Sequence, residues 1–232
     1  MASISIQAGD GTGHFDAYVV EPTGRPAGAV VLIQEIFGVN ASLRETAAQV
    51  AELGFFAVAP DLFWRQERNV DLTDKSQAEW DKAFALMNGF DHDKGIADLK
   101  ATLAAARALP GGNGRAGTMG YCLGGLLAVR MALESDADVN VSYYGVGLDR
   151  FAGALAGVSK PLLLHIADQD EFFPPEGRAK VIAAAKDHPA IRAYVYPNAN
   201  HAFARVGGVH WHARSAWIAN GRSAEALAAA LD

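Results

Sequence analysis

The sequence predicts an α/β fold: a mostly parallel central sheet of about eight strands with helices on both faces. Three observations lead there. Short apolar runs alternate with longer segments of helical spacing, the pattern of strands buried between helices. The 232 residues are half apolar, enough for one sizeable core. No repeat, low-complexity linker or composition break divides the chain, so a single domain over residues 1–232 is expected.

The elements follow in order. Alternating segments at residues 3–7 and 14–20, with Gly-Asp-Gly between them, read as an antiparallel hairpin. Apolar runs at 29–34, 55–59, 116–120, 139–144, 161–167 and 191–196 are too short for lone amphipathic helices and read as strands. Residues 42–53, 75–87 and 95–109 carry apolar side chains at helical spacing, the last stopping at Pro110-Gly111-Gly112. Further helices are expected over 126–133, from Pro175, a proline of the N1 type, and through the last twenty residues, where Ala, Leu and Glu dominate.

Charge and cysteine content exclude several function classes. Charged residues are 20% of the chain and the net charge is −6, which does not suit a nucleic-acid or anionic-membrane surface. One cysteine allows no internal disulfide, and the run Met1-Ala2-Ser3-Ile4-Ser5-Ile6 has neither a basic nor an apolar leader region, so a cytoplasmic location is expected. The longest apolar runs, such as 28–33 and 161–166, fall far short of the roughly 20 residues needed to span a bilayer.

The single cysteine sits in Gly120-Tyr121-Cys122-Leu123-Gly124-Gly125, after an apolar strand and before a Leu- and Ala-rich helix. This is a nucleophile elbow of the form G-x-C-x-G. A strand that turns at once into a helix leaves no room for side chains at the flanking positions, which glycine solves. The turn lifts the sulfur above the sheet at a helix N-terminus, where the positive dipole end favours a thiolate. Taken alone, a lone cysteine is as often an inert core residue. The strand-turn-helix setting selects Cys122 as nucleophile.

In α/β-hydrolases the acid and then the histidine follow the nucleophile, each in the loop after a late strand. Here Asp168-Gln169-Asp170-Glu171 follows residues 161–167, and Asn198-Ala199-Asn200-His201 follows 191–196. His201 is the expected base, able to take the thiol proton and later protonate the leaving alkoxide. Asp170 is the expected orienting carboxylate, with Asp168 as a competitor whose plainer reading is a turn cap. His210 and His212 flank Trp211 without a third ligand at metal spacing, so no metal is expected, and a surface or subunit contact is the simpler reading. His14, His92, His165 and His188 have no partner legible in the sequence. Glu35, in Gln34-Glu35-Ile36-Phe37-Gly38-Val39-Asn40, lies in the loop that contributes an oxyanion-hole N–H; spacing alone reads it as an exposed loop residue.

These segments, with Pro60-Asp61-Leu62-Phe63, Tyr143-Tyr144-Gly145-Val146-Gly147-Leu148 and His201-Ala202-Phe203-Ala204-Arg205, give the chain an end-to-end resemblance. It resembles the dienelactone hydrolase family, carboxymethylenebutenolidases of chloroaromatic degradation with the α/β-hydrolase fold. The resemblance implies a triad of Cys122, His201 and Asp170, with Glu35 controlling the thiol in the resting enzyme and helping to form the thiolate when substrate arrives. It implies an oxyanion hole at the backbone N–H groups of Leu123 and Ile36, and substrate contacts from Arg205, Phe37 and Tyr143. The family binds its substrate's carboxylate with two arginines. Arg205 matches one, while Trp80 stands where the family has the other, offering an aromatic wall in place of a guanidinium. Arg65 or Arg68 is a candidate to compensate.

The expected activity is therefore cofactor-free hydrolysis of a small ester or enol-lactone, of the dienelactone-to-maleylacetate type, by a monomer. A broader carboxylesterase would use the same residues. A thiol redox sensor or ligand-binding protein is the alternative from another class, in which Cys122 reacts with oxidants.

Overall fold

The computed structural model describes residues 2–24 and 28–232; Met1, the first residue of the run read for a leader, and residues 25–27 lie outside it. The expected strands all form: β1 (Ala2–Gln7), β2 (His14–Val20), β3 (Ala29–Ile33), β4 (Phe56–Pro60), β5 (Ala116–Tyr121), β6 (Asn140–Tyr143), β7 (Leu162–Ala167) and β8 (Ile191–Tyr196). So do the helices α1 (Ala41–Glu52), α2 (Gln77–Asn88), α3 (His92–Arg107), α4 (Leu123–Glu134), α5 (Pro175–Ala185) and α6 (Ala213–Leu231). The strands form one sheet in the order β1-β2-β4-β3-β5-β6-β7-β8. β1 and β2 run antiparallel, as do β2 and β4, while β3 with β4 and the series β5 to β8 are parallel.

Helix starts follow their caps more closely than their apolar period. Ser76 accepts from the Glu79 N–H and donates its own hydroxyl to the Glu79 carboxylate, so α2 begins at Gln77 and not at residue 75. Asp91 accepts from the N–H groups of Asp93 and Lys94 and starts α3 three residues before the expected 95. Short 3₁₀ turns at Leu148–Phe151 and Leu155–Gly157 were not expected, because three or four residues carry no readable period.

The chain divides into two compact units, Met1–Gly117 with Leu231–Asp232, and Thr118–Ala230. In the first, β2 buries Phe15, Ala17 and Val19 and exposes alternate residues, whereas β3 and β4 are buried throughout. Helices α1 and α3 pack on these strands. Asp98 of α3 is fully buried and accepts hydrogen bonds from the Arg65 guanidinium and, at 2.9 Å, the Trp64 indole N–H. Arg65 also pairs with Asp10 at 2.9 Å, so this clasp ties the loop after β4 to the β1–β2 hairpin. Arg68 donates to the His14 carbonyl at 2.7 Å and lies over the Trp64 ring. Both arginines are thus engaged within the unit.

In the second unit, Leu126 and Val129 of α4 pack with Leu162, Leu164 and Ile166 of β7, Val181 of α5 and Ile191 of β8. Leu148 and Leu155 of the two 3₁₀ turns close the same cluster. This apolar base lies against β7 and the start of β8, which pair in parallel register.

Candidate active site

Cys122 joins β5 directly to α4 with φ 56° and ψ −115°, a strained conformation for a residue other than glycine. The flanking glycines have a measurable reason. A Cβ at Gly120 would lie 2.0 Å from the Gly124 carbonyl oxygen, and one at Gly125 would lie 2.6 Å from that of Tyr143. The Cys122 N–H donates to the Tyr143 carbonyl at 3.1 Å, and the Cys122 carbonyl accepts the first helical bond, from Leu126. The Leu123 N–H belongs to the first turn of α4, whose N–H groups have no acceptor within the helix.

His201 and Asp170 come from the loops after β8 and β7. Both are buried, and His201 Nδ1 donates to the two carboxylate oxygens at 3.0 Å each. Asp170 also accepts from the Phe172 N–H at 2.9 Å, while among the described residues Asp168 accepts only from the Gln169 side chain at an exposed position. Of the two candidate carboxylates, Asp170 is the one brought to the imidazole. The His201 N–H donates to Asn200 Oδ1 at 2.7 Å, and Ala202 continues the loop at φ 62°. Burial pushes the His201 pKa down, but the negative charge of Cys122 and hydrogen bonds with Asp170 and Cys122 outweigh it and lift the imidazole to about 10.

The aromatic residues divide in a way the sequence did not reveal. Tyr144 sets its ring edge-on to His201 at 5.2 Å, and Phe172 does the same at 4.9 Å. Tyr143, the expected substrate contact, is fully buried, stacks on Tyr121 at 4.8 Å and commits its hydroxyl to Asn220 and Ser223. It supports the elbow from beneath.

That hydroxyl belongs to a buried chain of groups running through His165, for which the sequence offered no partner. Asn220 Oδ1 only accepts, so the Tyr143 hydroxyl donates to it at 2.9 Å and accepts from Ser223 at 2.7 Å. Ser223 in turn accepts from His165 Nε2 at 3.0 Å, leaving Nδ1 to accept from the Tyr196 hydroxyl at 2.8 Å. Tyr196 accepts from Arg222 at 3.1 Å. One proton order satisfies every group, and it requires a neutral His165. Burial and the nearby charge of Arg222 agree, pushing His165 down to about 3. The chain joins β6, β7 and β8 to α6 below the loops that carry Asp170 and His201.

The remaining expected residues lie as follows. Arg205 is buried in the turn that follows His201. In the first unit, Glu35, Ile36 and Phe37 are buried after β3, so Glu35 is not the exposed loop residue that spacing suggested. Trp80 meets Phe37 edge-on at 5.0 Å, stacks on Phe84 at 5.4 Å and donates its indole N–H to the Asp74 carbonyl at 3.1 Å. His212 Nδ1 bonds Ser215 Oγ at 2.7 Å at the start of α6, and His210 reaches the His201 carbonyl. Among the described residues no three His, Cys, Asp or Glu side chains group as a metal site, and no helix is long and apolar enough to cross a membrane.

Comparison with known proteins places this geometry in context. The family model described as the dienelactone hydrolase family matches residues 15–231. The chain is 51% identical over 226 residues to a protein of Azospirillum brasilense provisionally named carboxymethylenebutenolidase, covering 97% of this chain and 96% of that one. It is 39% identical over 225 residues to the carboxymethylenebutenolidase of Pseudomonas putida, covering 97% and 95%. A crystal structure from Klebsiella pneumoniae, provisionally described as a dienelactone hydrolase, shares the fold with a TM-score of 0.82 at 23% identity, covering 98% of each chain.

Proposed function

Because the chain belongs to the dienelactone hydrolase family, we propose that it is a carboxylic ester hydrolase that opens a small enol-lactone through Cys122, His201 and Asp170. The observation that carries this reading is the buried run from Cys122 through His201 to Asp170, with the sulfur on a strained elbow. The Cys122 thiolate attacks the ring carbonyl carbon, and charge moves onto the carbonyl oxygen. The Leu123 N–H, in the first turn of α4 where no helical acceptor is available, stabilises it, a contribution worth about 3 kcal/mol where such donors have been removed. Collapse breaks the ring C–O bond and leaves a thioester, with the enol oxygen taking its proton from the His201 imidazolium. His201, now neutral, takes a proton from water as the water attacks the thioester. The thiolate departs and leaves a carboxylic acid, which loses its proton to solvent, and an enol that rearranges to a ketone. Asp170 holds the imidazole in the tautomer this exchange needs.

The family resemblance assigns a second oxyanion donor to the Ile36 N–H and control of the resting thiol to Glu35, both buried in the first unit. It assigns Arg205 to a substrate carboxylate. A second reading, a broader carboxylesterase with the same machinery, is favoured by Trp80: its packing on Phe37 and Phe84 makes an aromatic surface where a guanidinium would bind an anion.

The deciding experiment is steady-state hydrolysis of a dienelactone and of a neutral aryl acetate by wild type, Cys122→Ala and Trp80→Arg. Turnover of the dienelactone alone, abolished in Cys122→Ala, is the expected result. Preference for the aryl acetate, with dienelactone turnover raised by Trp80→Arg, would establish the broader esterase. Turnover of neither would overturn both.

A further inference from the structure

A second imidazole, which the proposed reaction does not use, sits beside the loops that carry His201 and Asp170. His210 Nδ1 lies 3.2 Å from the main-chain carbonyl of His201 and 3.9 Å from Oε1 of Glu171, the residue after Asp170. A carbonyl oxygen only accepts, so Nδ1 carries a proton and donates it to His201, while the Glu171 carboxylate lies beyond hydrogen-bond reach in a partly exposed contact. The chain returns to this point through successive turns, with N–H groups of Arg205, Gly208 and Trp211 donating to the carbonyls of Ala202, Arg205 and Gly208.

His201 needs such a hold. Its neighbour Ala202 is left-handed at φ 62°, a conformation that costs an L-residue on the order of 1 kcal/mol and persists only where surroundings enforce it. Asn200 fixes the N–H side of His201, and His210 fixes the carbonyl side. Phe172 and Tyr144 confine the ring itself.

We propose that His210 is a positioning residue for the reaction: through the His201 carbonyl it holds the base loop and sets the angle at which the imidazole meets Cys122. The proposal rests on the reading of Cys122 and His201 as nucleophile and base. It turns the H-x-H pair into two separate devices, one at the site and one, His212 on Ser215, at the start of α6.

Cys122 is the only cysteine, so alkylation by iodoacetamide reports on its thiolate without a substrate. The experiment compares wild type with His210→Ala, His210→Phe and His210→Asn, the last placing an N–H donor close to where Nδ1 stood. At neutral pH the Ala and Phe variants should alkylate about 2- to 10-fold more slowly, the range of one lost hydrogen bond. Their kcat on the dienelactone should fall by a similar factor at unchanged KM, with Asn returning both near wild type. Melting temperatures should stay together. Wild-type alkylation in all variants, or an Asn variant no better than Ala and Phe, would overturn the proposal. If wild type turns over no lactone while the alkylation pattern holds, the hydrolase reading fails and the positioning role stands. If lactone turnover needs Cys122 but ignores position 210 in both assays, only the positioning role fails.

Discussion

His165 should make this protein lose stability in acid, and replacing it with Phe should expose that loss. The ring accepts from Tyr196 and donates to Ser223, so His165→Phe forfeits two hydrogen bonds, worth about 1–3 kcal/mol together at neutral pH. Ser223 still reaches Tyr143, whereas Tyr196 keeps Arg222 as a donor but loses the acceptor of its own hydroxyl hydrogen. The sign of the pH effect follows from the depressed pKa. With a folded value of about 3 against an ordinary 6.5, the unfolded chain takes up the proton first as pH falls. Stability from the neutral ring is complete above about pH 6.5 and is lost progressively toward pH 3, at about 1.4 kcal/mol per unit. By about pH 4.5, two units below 6.5, the wild type has lost about 2.7 kcal/mol that the Phe variant has no group to lose. The two should therefore differ by 1–3 kcal/mol at about pH 7.5 and converge or cross near pH 5. Urea unfolding across this range measures both curves. A constant offset between them would refute the claim that His165 is held neutral by its surroundings.

Three further outcomes follow from the same coordinates. Gly120→Ala, whose Cβ meets the Gly124 carbonyl oxygen at 2.0 Å, should cost about 3 kcal/mol or more in urea unfolding, while Gly221→Ala in α6, with nothing within 4 Å, should stabilise by about 1 kcal/mol. His201 acts opposite to His165: with its pKa raised to about 10, its stabilisation is complete below about pH 6.5 and drains away as pH rises toward 10. Thermal unfolding between those limits should show a shallower decline in Cys122→Ala, which lacks the charge that does most to raise His201; equal slopes would disconnect the two residues. Asp98→Ala leaves the Trp64 indole without its acceptor and Arg65 with Asp10 alone, and should cost about 3 kcal/mol by the same urea assay.

What the sequence disclosed and what it hid divide by the range of the forces involved. The elbow is local: five consecutive residues must avoid one another, and the glycines that make this feasible stand in the sequence beside Cys122. Asp170 and His201 were legible because each follows a strand whose apolar run is itself legible, and the sheet brings them together. Asp170 was preferred to Asp168 in the sequence across a two-residue offset in a loop, and the fold sets Asp170 against the imidazole. Tyr143 and Tyr144 were harder, because strand alternation fixes the direction of a side chain only while the strand lasts. β6 ends at Tyr143, and Tyr144 turns away at φ 37°, so the pattern that would have assigned the two rings is broken between them. The His165 chain was hidden for the opposite reason. Its far members, Asn220, Arg222 and Ser223, sit on an Ala-rich helix among polar residues that a helical wheel sends to solvent, and only the docking of α6 under β6, β7 and β8 turns them inward. His210 belongs to the same class: nine residues of turn separate it from His201, and no periodicity records that the chain comes back.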